Sequence, residues 1–132
     1  AMAAQERDAA LGAAMRLRVA GHAAPVVSVG STPTAQFADD LVGVTEVRAG
    51  VYMFQDLVMA GLGVCAVDDI AISVLVTVIG HQAAKGWLIT DGGWMALSRD
   101  RGTSAQAVDQ GYGLVCDVAG RPIADLVMSG AN

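Results

Sequence analysis

Two short strand-like segments, each stopped by a glycine-containing turn, constrain this chain more than any other feature. Residues 25–30 are apolar apart from Ser28, and residues 44–48 read as a second short strand that ends at Gly50. Strands this apolar are buried on both faces and pair in parallel, joined by crossover helices. The first leads into Gly30-Ser31-Thr32-Pro33-Thr34 and the second into Ala49-Gly50-Val51-Tyr52. Each turn offers small hydroxyl side chains or unpaired N–H groups at the C-terminal end of its strand. In barrels of alternating strands and helices, phosphate groups are held at that end. Two parallel strands cannot close a barrel or cover their own sheet edges. The expectation is therefore an α/β segment cut from something larger.

The rest of the chain divides in two around Gly63. Residues 3–19 are Ala-rich and free of proline, which predicts a helix with Leu11, Met15 and Leu17 among its apolar positions and Gly21 as its stop. Pro33 opens a turn and Thr34 is placed to cap a short helix over residues 35–41. Residues 52–62 read as a further helix, with Phe54, Leu57 and Val58 facing the core. Beyond Gly63, residues 66–80 are dominated by β-branched side chains and predict one long strand. Shorter strands follow at 87–90, 111–117 and 122–128, with turn chemistry at 119–122. Asp91-Gly92-Gly93 reads as a tight turn in which glycine supplies a positive φ. The expected organisation is an α/β part over 1–63 and a β-rich antiparallel part over 64–132.

Hydrophobic residues make up 54% of the 132 and charged residues 16%, which excludes disorder and implies apolar surface that a partner or another part of the same protein covers. With seven arginines and one lysine scattered against a net charge of −5, no basic stripe exists, so nucleic acid is not an expected partner. The longest mostly apolar stretch, residues 70–80, is too short to span a bilayer, and no membrane partner is expected. The N-terminus lacks the regions of a signal peptide, and Ala1 ahead of Met2 reads as a remnant of a cloning tag. Cys65 and Cys116 lie in apolar surroundings and are expected to be buried free thiols in a reducing cytoplasm.

Four stretches in register resemble one family. These are Gly30-Ser31-Thr32-Pro33-Thr34, the run Thr45-Glu46-Val47-Arg48-Ala49-Gly50-Val51-Tyr52, the stretch from Asp91 to Thr103, and Asp109-Gln110-Gly111-Tyr112-Gly113. Together they look like the pyridoxal-phosphate enzymes of the D-serine dehydratase and D-threonine aldolase group, from about Val26 to Asn132. The resemblance implies the last two strand–helix units of an alanine-racemase-like TIM barrel, followed by part of an antiparallel β-domain, associated or rearranged when isolated. It implies a lyase acting on D-β-hydroxy amino acids by dehydration or aldol cleavage, with the pyridoxal ring as electron sink. Gly30, Ser31, Thr32 and the N–H groups of Gly50 and Val51 would hold the cofactor phosphate, the latter opening a helix whose dipole favours an anion. Arg48 falls where the more distant alanine racemases place an arginine near the pyridine nitrogen. A surface pair with Glu46 or Asp39 is the alternative for it.

The departures from the family matter as much. Its Schiff-base lysine lies earlier in the barrel than anything present here, and the one lysine, Lys85, sits in a polar turn between two strands. Neither His22 nor His81 has the His-x-Cys or His-x-Asp neighbour through which the family binds a divalent metal. Ala49 stands where the family commonly has proline. No catalytic residue and no metal ligand is therefore assigned, and the chain is expected to be inactive alone. Tyr112 reads as a core or interface tyrosine, and Asp100 as part of a solvated loop network. A competing reading is a non-catalytic stand-alone domain that self-associates or binds a small phosphorylated ligand. Either way, a homo-oligomer is expected.

Overall fold

The computed structural model describes residues 2–129. It divides into two compact units, Ala1–Gln55 and Asp56–Asn132. The outermost residues of the two expected parts, at 1 and 130–132, lie outside the described residues.

The first unit opens with helix α1 (Met2–Val19), which follows the Ala-rich propensity closely. Gly21 ends it at φ +86°: its N–H donates to Arg18 O and that of His22 to Leu17 O, the paired bonds of a Schellman cap. Strand β1 (Ser28–Val29) pairs in parallel with β2 (Glu46–Val47), register Ser28 to Glu46 and Val29 to Val47. Both strands are shorter than residues 25–30 and 44–48, because a two-stranded sheet supports a ladder only where the two runs overlap. Between them lies α2 (Thr32–Gln36), which starts before Thr34. Ser31 is its cap, and Thr34 completes a reciprocal box by accepting the Ser31 N–H at 2.9 Å. The core of this unit is small: Ala14, Val27, Val29 and the side chain of Thr32. Met15 and Leu17, expected among the packed positions of α1, are exposed.

No helix begins at Gly50. Residues 51–54 form a turn, with the Gln55 N–H donating to Val51 O at 2.7 Å and Gln55 itself at φ +56°. A left-handed non-glycine residue interrupts a helical run. Helix α3 (Leu57–Gly61) starts afresh in the second unit, capped by the Asp56 carboxylate on the Met59 N–H at 2.8 Å. The expected 52–62 helix is thus reduced to its last turn, Phe54 lies outside it, and the dipole expected at Gly50 is absent.

The second unit is built on two antiparallel hairpins. Strand β3 (Val78–Gln82) pairs with β4 (Trp87–Thr90) through a 3₁₀ turn at Ala83–Lys85, and β5 (Leu114–Cys116) pairs with β6 (Pro122–Val127). The long strand expected over 66–80 is absent as such: Val67–Asp69 is a 3₁₀ turn and residues 70–77 run without a ladder. The Thr77 backbone instead makes two bonds to Asp91, its N–H to the carboxylate and its C=O to the Asp91 N–H. Neither Gly92 nor Gly93 has a positive φ; Gly92 is needed because a Cβ there would overlap the Val76 side chain. Among the described residues of this unit, Met59, Val64 and Thr103 are buried, while Leu75 and Val127 are 89% and 86% exposed. Both cysteines are free thiols, but Cys116 is exposed and Cys65 only partly buried, unlike the buried pair expected. Burial nonetheless raises the Cys65 thiol above its ordinary pKa.

Candidate functional site

The parallel pairing of β1 with β2 brings the two glycine turns to the same end of one sheet. Glu46 N donates to Val27 O at 3.2 Å and Arg48 N to Val29 O at 2.8 Å. Beyond that last bond the chains separate into Gly30-Ser31-Thr32 and Ala49-Gly50-Val51. Gly30 sits at φ +120°, and a Cβ there would lie 2.7 Å from Arg48 O and 3.0 Å from Arg48 N. Only glycine allows the two backbones to approach so closely. The turns are then joined directly, by the Val51 N–H donating to Thr32 Oγ1 at 3.0 Å. Thr32 is 3% exposed, and the bond lies part-buried.

The donor set here suits an anion in part. With its oxygen accepting from Val51, the Thr32 hydroxyl keeps its own proton to donate. Among the described residues, the N–H groups of Thr32 and Gly50 have no partner, and nothing lies within 4 Å of where a Gly50 Cβ would be. The open, Cβ-free space at Gly50 is room for an anion, while Thr32 itself is 3% exposed. Ser31 spends its N–H and part of its hydroxyl on Thr34. The Gly30 N–H is taken as well, by the Glu6 carboxylate of α1 at 2.8 Å. Hydrogen bonds from the Thr34 side chain and from Gly30 N–H, helped by Arg48, hold Glu6 below its ordinary pKa.

Arg48 is turned to the strand flank. Its Nε donates to Ser28 Oγ at 2.8 Å and lies 3.8 Å from Glu46 Oε1, and Ser28 also bonds Glu46. Of the two surface partners considered for it, Glu46 is the one found. The side chain is 64% exposed, so the pair is worth little energetically.

In the second unit, Trp94 and Tyr112 meet edge to face at 5.7 Å, with the Arg99 and Arg101 guanidinium groups over their rings at 4.8 and 6.0 Å. Arg101 pairs with Asp109, not with its neighbour Asp100. Asp109 and the buried Thr103 hydroxyl fix the loop, with Gln110 N donating to Thr103 Oγ1 and Gly111 N to Asp109, each at 2.8 Å. The bond from Gly111, followed by the charge of Arg101, lowers the Asp109 pKa. Lys85 lies in the turn between β3 and β4, its ammonium 4.6 Å from the Trp87 ring. Among the described residues, no three His, Cys, Asp or Glu side chains gather as a metal centre would require. No helix of the described residues is long and apolar enough to cross a membrane.

Sequence reasoning did not find Glu6 or the buried Thr103. Glu6 reaches Gly30 across 24 positions, a contact that no local pattern encodes.

Comparison with known proteins gives a consistent picture. Residues 71–130 match the family described as "Putative serine dehydratase domain". The whole chain is 63% identical to D-threo-3-hydroxyaspartate dehydratase from Delftia sp. (strain HT23), and 91 residues, 66% of the chain, are 35% identical to 23% of D-serine dehydratase from Dictyostelium discoideum. The solved Delftia structure superposes on 98% of the chain with a TM-score of 0.85. An alanine racemase-like protein from Idiomarina loihiensis, 51% identical, covers 98% of the chain with a TM-score of 0.86. The chain spans 35% of the Delftia sequence and 35% of the Idiomarina chain.

Proposed function

From the D-serine dehydratase family, to which this chain belongs by sequence and fold, we propose that it forms the phosphate-holding part of a pyridoxal-phosphate-dependent lyase. The reaction is dehydration of a D-3-hydroxy amino acid, since both named relatives are dehydratases. Aldol cleavage, which the wider group also performs, has no such support. The higher identity to an enzyme named for hydroxyaspartate favours a substrate with a second carboxylate.

The observation that carries this reading is the Val51 N–H to Thr32 Oγ1 bond at 3.0 Å, which joins the two turns beside unpaired Thr32 and Gly50 donors. Thr32 would donate its hydroxyl proton to a phosphate oxygen, and the Thr32 and Gly50 N–H groups would take others. Gly30 lets the two turns close around the group. Gly30 N–H, Ser31 and the Val51 N–H shape the cup from within, since each already has a partner in the chain. Arg48, directed to Ser28 and Glu46, would have to leave that pair to meet a pyridine nitrogen. When bound, the cofactor supplies an electron sink for removal of the α-proton and loss of the β-hydroxyl group. Residues 2–129 contain no donor set for the divalent metal the family implies, and no step is derived through one. Lys85, seated over Trp87 in the β3–β4 turn, is not offered as the Schiff-base lysine. Catalysis by this chain alone is therefore not expected.

Calorimetric titration of the purified chain with pyridoxal phosphate, with inorganic phosphate as competitor, tests this. Saturable binding that phosphate displaces, without an imine absorbance band, is the expected result. Binding that phosphate does not displace would refute it. A second reading, self-association, is favoured by the exposed apolar side chains of β3, β4 and β6, such as Ile79, Trp87 and Val127. Sedimentation of the chain over a range of concentrations separates the two, because an oligomer without phosphate binding would leave only the second.

A further inference from the structure

We infer that Glu6 is a positioning residue for the phosphate turn, an inference that rests on the reading of Thr32 and Gly50 as phosphate donors. Gly30 lies one residue beyond the end of β1. Its neighbour Val29 directs its carbonyl to Arg48, on the β2 side. Alternation along an extended chain then turns the Gly30 N–H to the edge that β2 does not cover. A partly buried N–H left there without an acceptor would be costly and would let the turn move. Glu6 supplies the acceptor at 2.8 Å from α1, a rigid element fixed at its far end by the Gly21 cap. The Thr34 side chain also favours the ionised form of this carboxylate. Thr34 in turn accepts the Ser31 N–H at 2.9 Å. Glu6 therefore holds the Gly30 end of Gly30-Ser31-Thr32-Pro33-Thr34 directly, while the bond between Ser31 and Thr34 holds the other end. The residue between those ties, Thr32, is the one that meets Val51 and carries the free donors.

The test uses the whole chain with Glu6→Ala and Glu6→Gln. Titration with inorganic phosphate and with pyridoxal phosphate is paired with amide hydrogen exchange at Gly30, Thr32 and Val51. A glutamine keeps an acceptor for Gly30 N–H, so it should rescue what alanine loses. Glu6→Ala is expected to weaken phosphate binding about tenfold, the effect of losing one well-placed hydrogen bond to a charged group. It should speed exchange at Gly30 about tenfold or more while α1 keeps its circular dichroism. Glu6→Gln should stay within about threefold of the parent in both readouts.

Unchanged Gly30 exchange in Glu6→Ala would overturn the inference. Tighter phosphate binding by both variants would also overturn it, since the carboxylate would then be competing with the anion for the turn. If the parent chain binds no phosphate, the proposed function fails while the exchange result still decides whether Glu6 positions the turn.

Discussion

Replacing Gly30 by alanine isolates the close approach on which the candidate site depends. Two costs add at this position. An L-residue held at φ +120° carries strain on the order of 1–3 kcal/mol. The new Cβ would also lie 2.7 Å from Arg48 O, and that backbone cannot retreat without stretching the 2.8 Å bond from Arg48 N to Val29 O. Losing such a bond adds about 1 kcal/mol, so the total is about 2–4 kcal/mol. Gly21→Ala is the control, because Gly21 has φ +86° but nothing within 4 Å of its Cβ position. Its cost is conformational alone, about 1–2 kcal/mol. Both glycines lie in the first unit, so urea unfolding followed by circular dichroism reports on the same body for each. With a urea slope of about 1–2 kcal/mol/M for so small a unit, the Gly30→Ala midpoint should fall about 1 M below that of Gly21→Ala. Equal midpoints would refute the argument, for they would mean that Arg48 yields freely and that the two turns are not held together at Gly30.

Other perturbations probe neighbouring groups. Thr32→Val removes the acceptor of the Val51 N–H in a buried place and should cost about 1–3 kcal/mol in urea unfolding, with phosphate binding lost, while Thr32→Ser keeps both within a small margin. Glu6 should titrate below its ordinary value of 4.5 in NMR-detected titration, because the Thr34 side chain, the Gly30 N–H and Arg48 favour the carboxylate. Its contribution to stability is then complete above the unfolded-state pKa and is lost as pH falls through the lower folded value. Asp109 should behave alike, its carboxylate persisting below the ordinary 3.8, and Arg101→Gln should move its pKa up only partway, since the bond from Gly111 is the larger cause. Gly92→Ala should destabilise the second unit although Gly92 has an ordinary φ, since its Cβ would displace Val76, and thermal unfolding would show it.

What the sequence made legible follows the range of the interactions involved. Helix α1 and its stop at Gly21 depend on local propensity and on one residue's access to positive φ, and both were readable. So was the β4 strand, residues 87–90, and the β-rich character of the second unit. Residues 70–77 were misread because β-propensity reports how well a side chain suits a pleated, half-buried surface, and here no neighbouring strand supplies that surface. The helix expected over 52–62 failed for a local reason: Asp56 is a better N-cap than a mid-helix residue, and Gln55 before it adopts a left-handed conformation. At α2 the capping pair was recognised at one end only. Thr34 does serve the cap, but from the third helical position, with Ser31 as the cap residue.

The site divides along the same line. Gly30, Ser31 and Thr32 after β1, and Arg48, Gly50 and Val51 after β2, could be placed at one sheet end because parallel pairing dictates it. Which of their donors remain free could not be read, since that depends on Glu6, 24 residues upstream of Gly30, and on the bond between Thr32 and Val51, 19 residues apart. The consequence is chemical. A turn whose N–H groups were all unpaired would be a stronger anion site but a floppier one, because each unsatisfied donor also fails to hold the backbone. Here the chain satisfies Gly30, Ser31 and Val51 internally and leaves Thr32 and Gly50 open, so the donors that shape the cup are distinct from those that would grip the phosphate. Preorganisation of this kind lowers the ordering cost of binding, which is why the variants that loosen the turn, rather than those that remove charge, should weaken phosphate binding most.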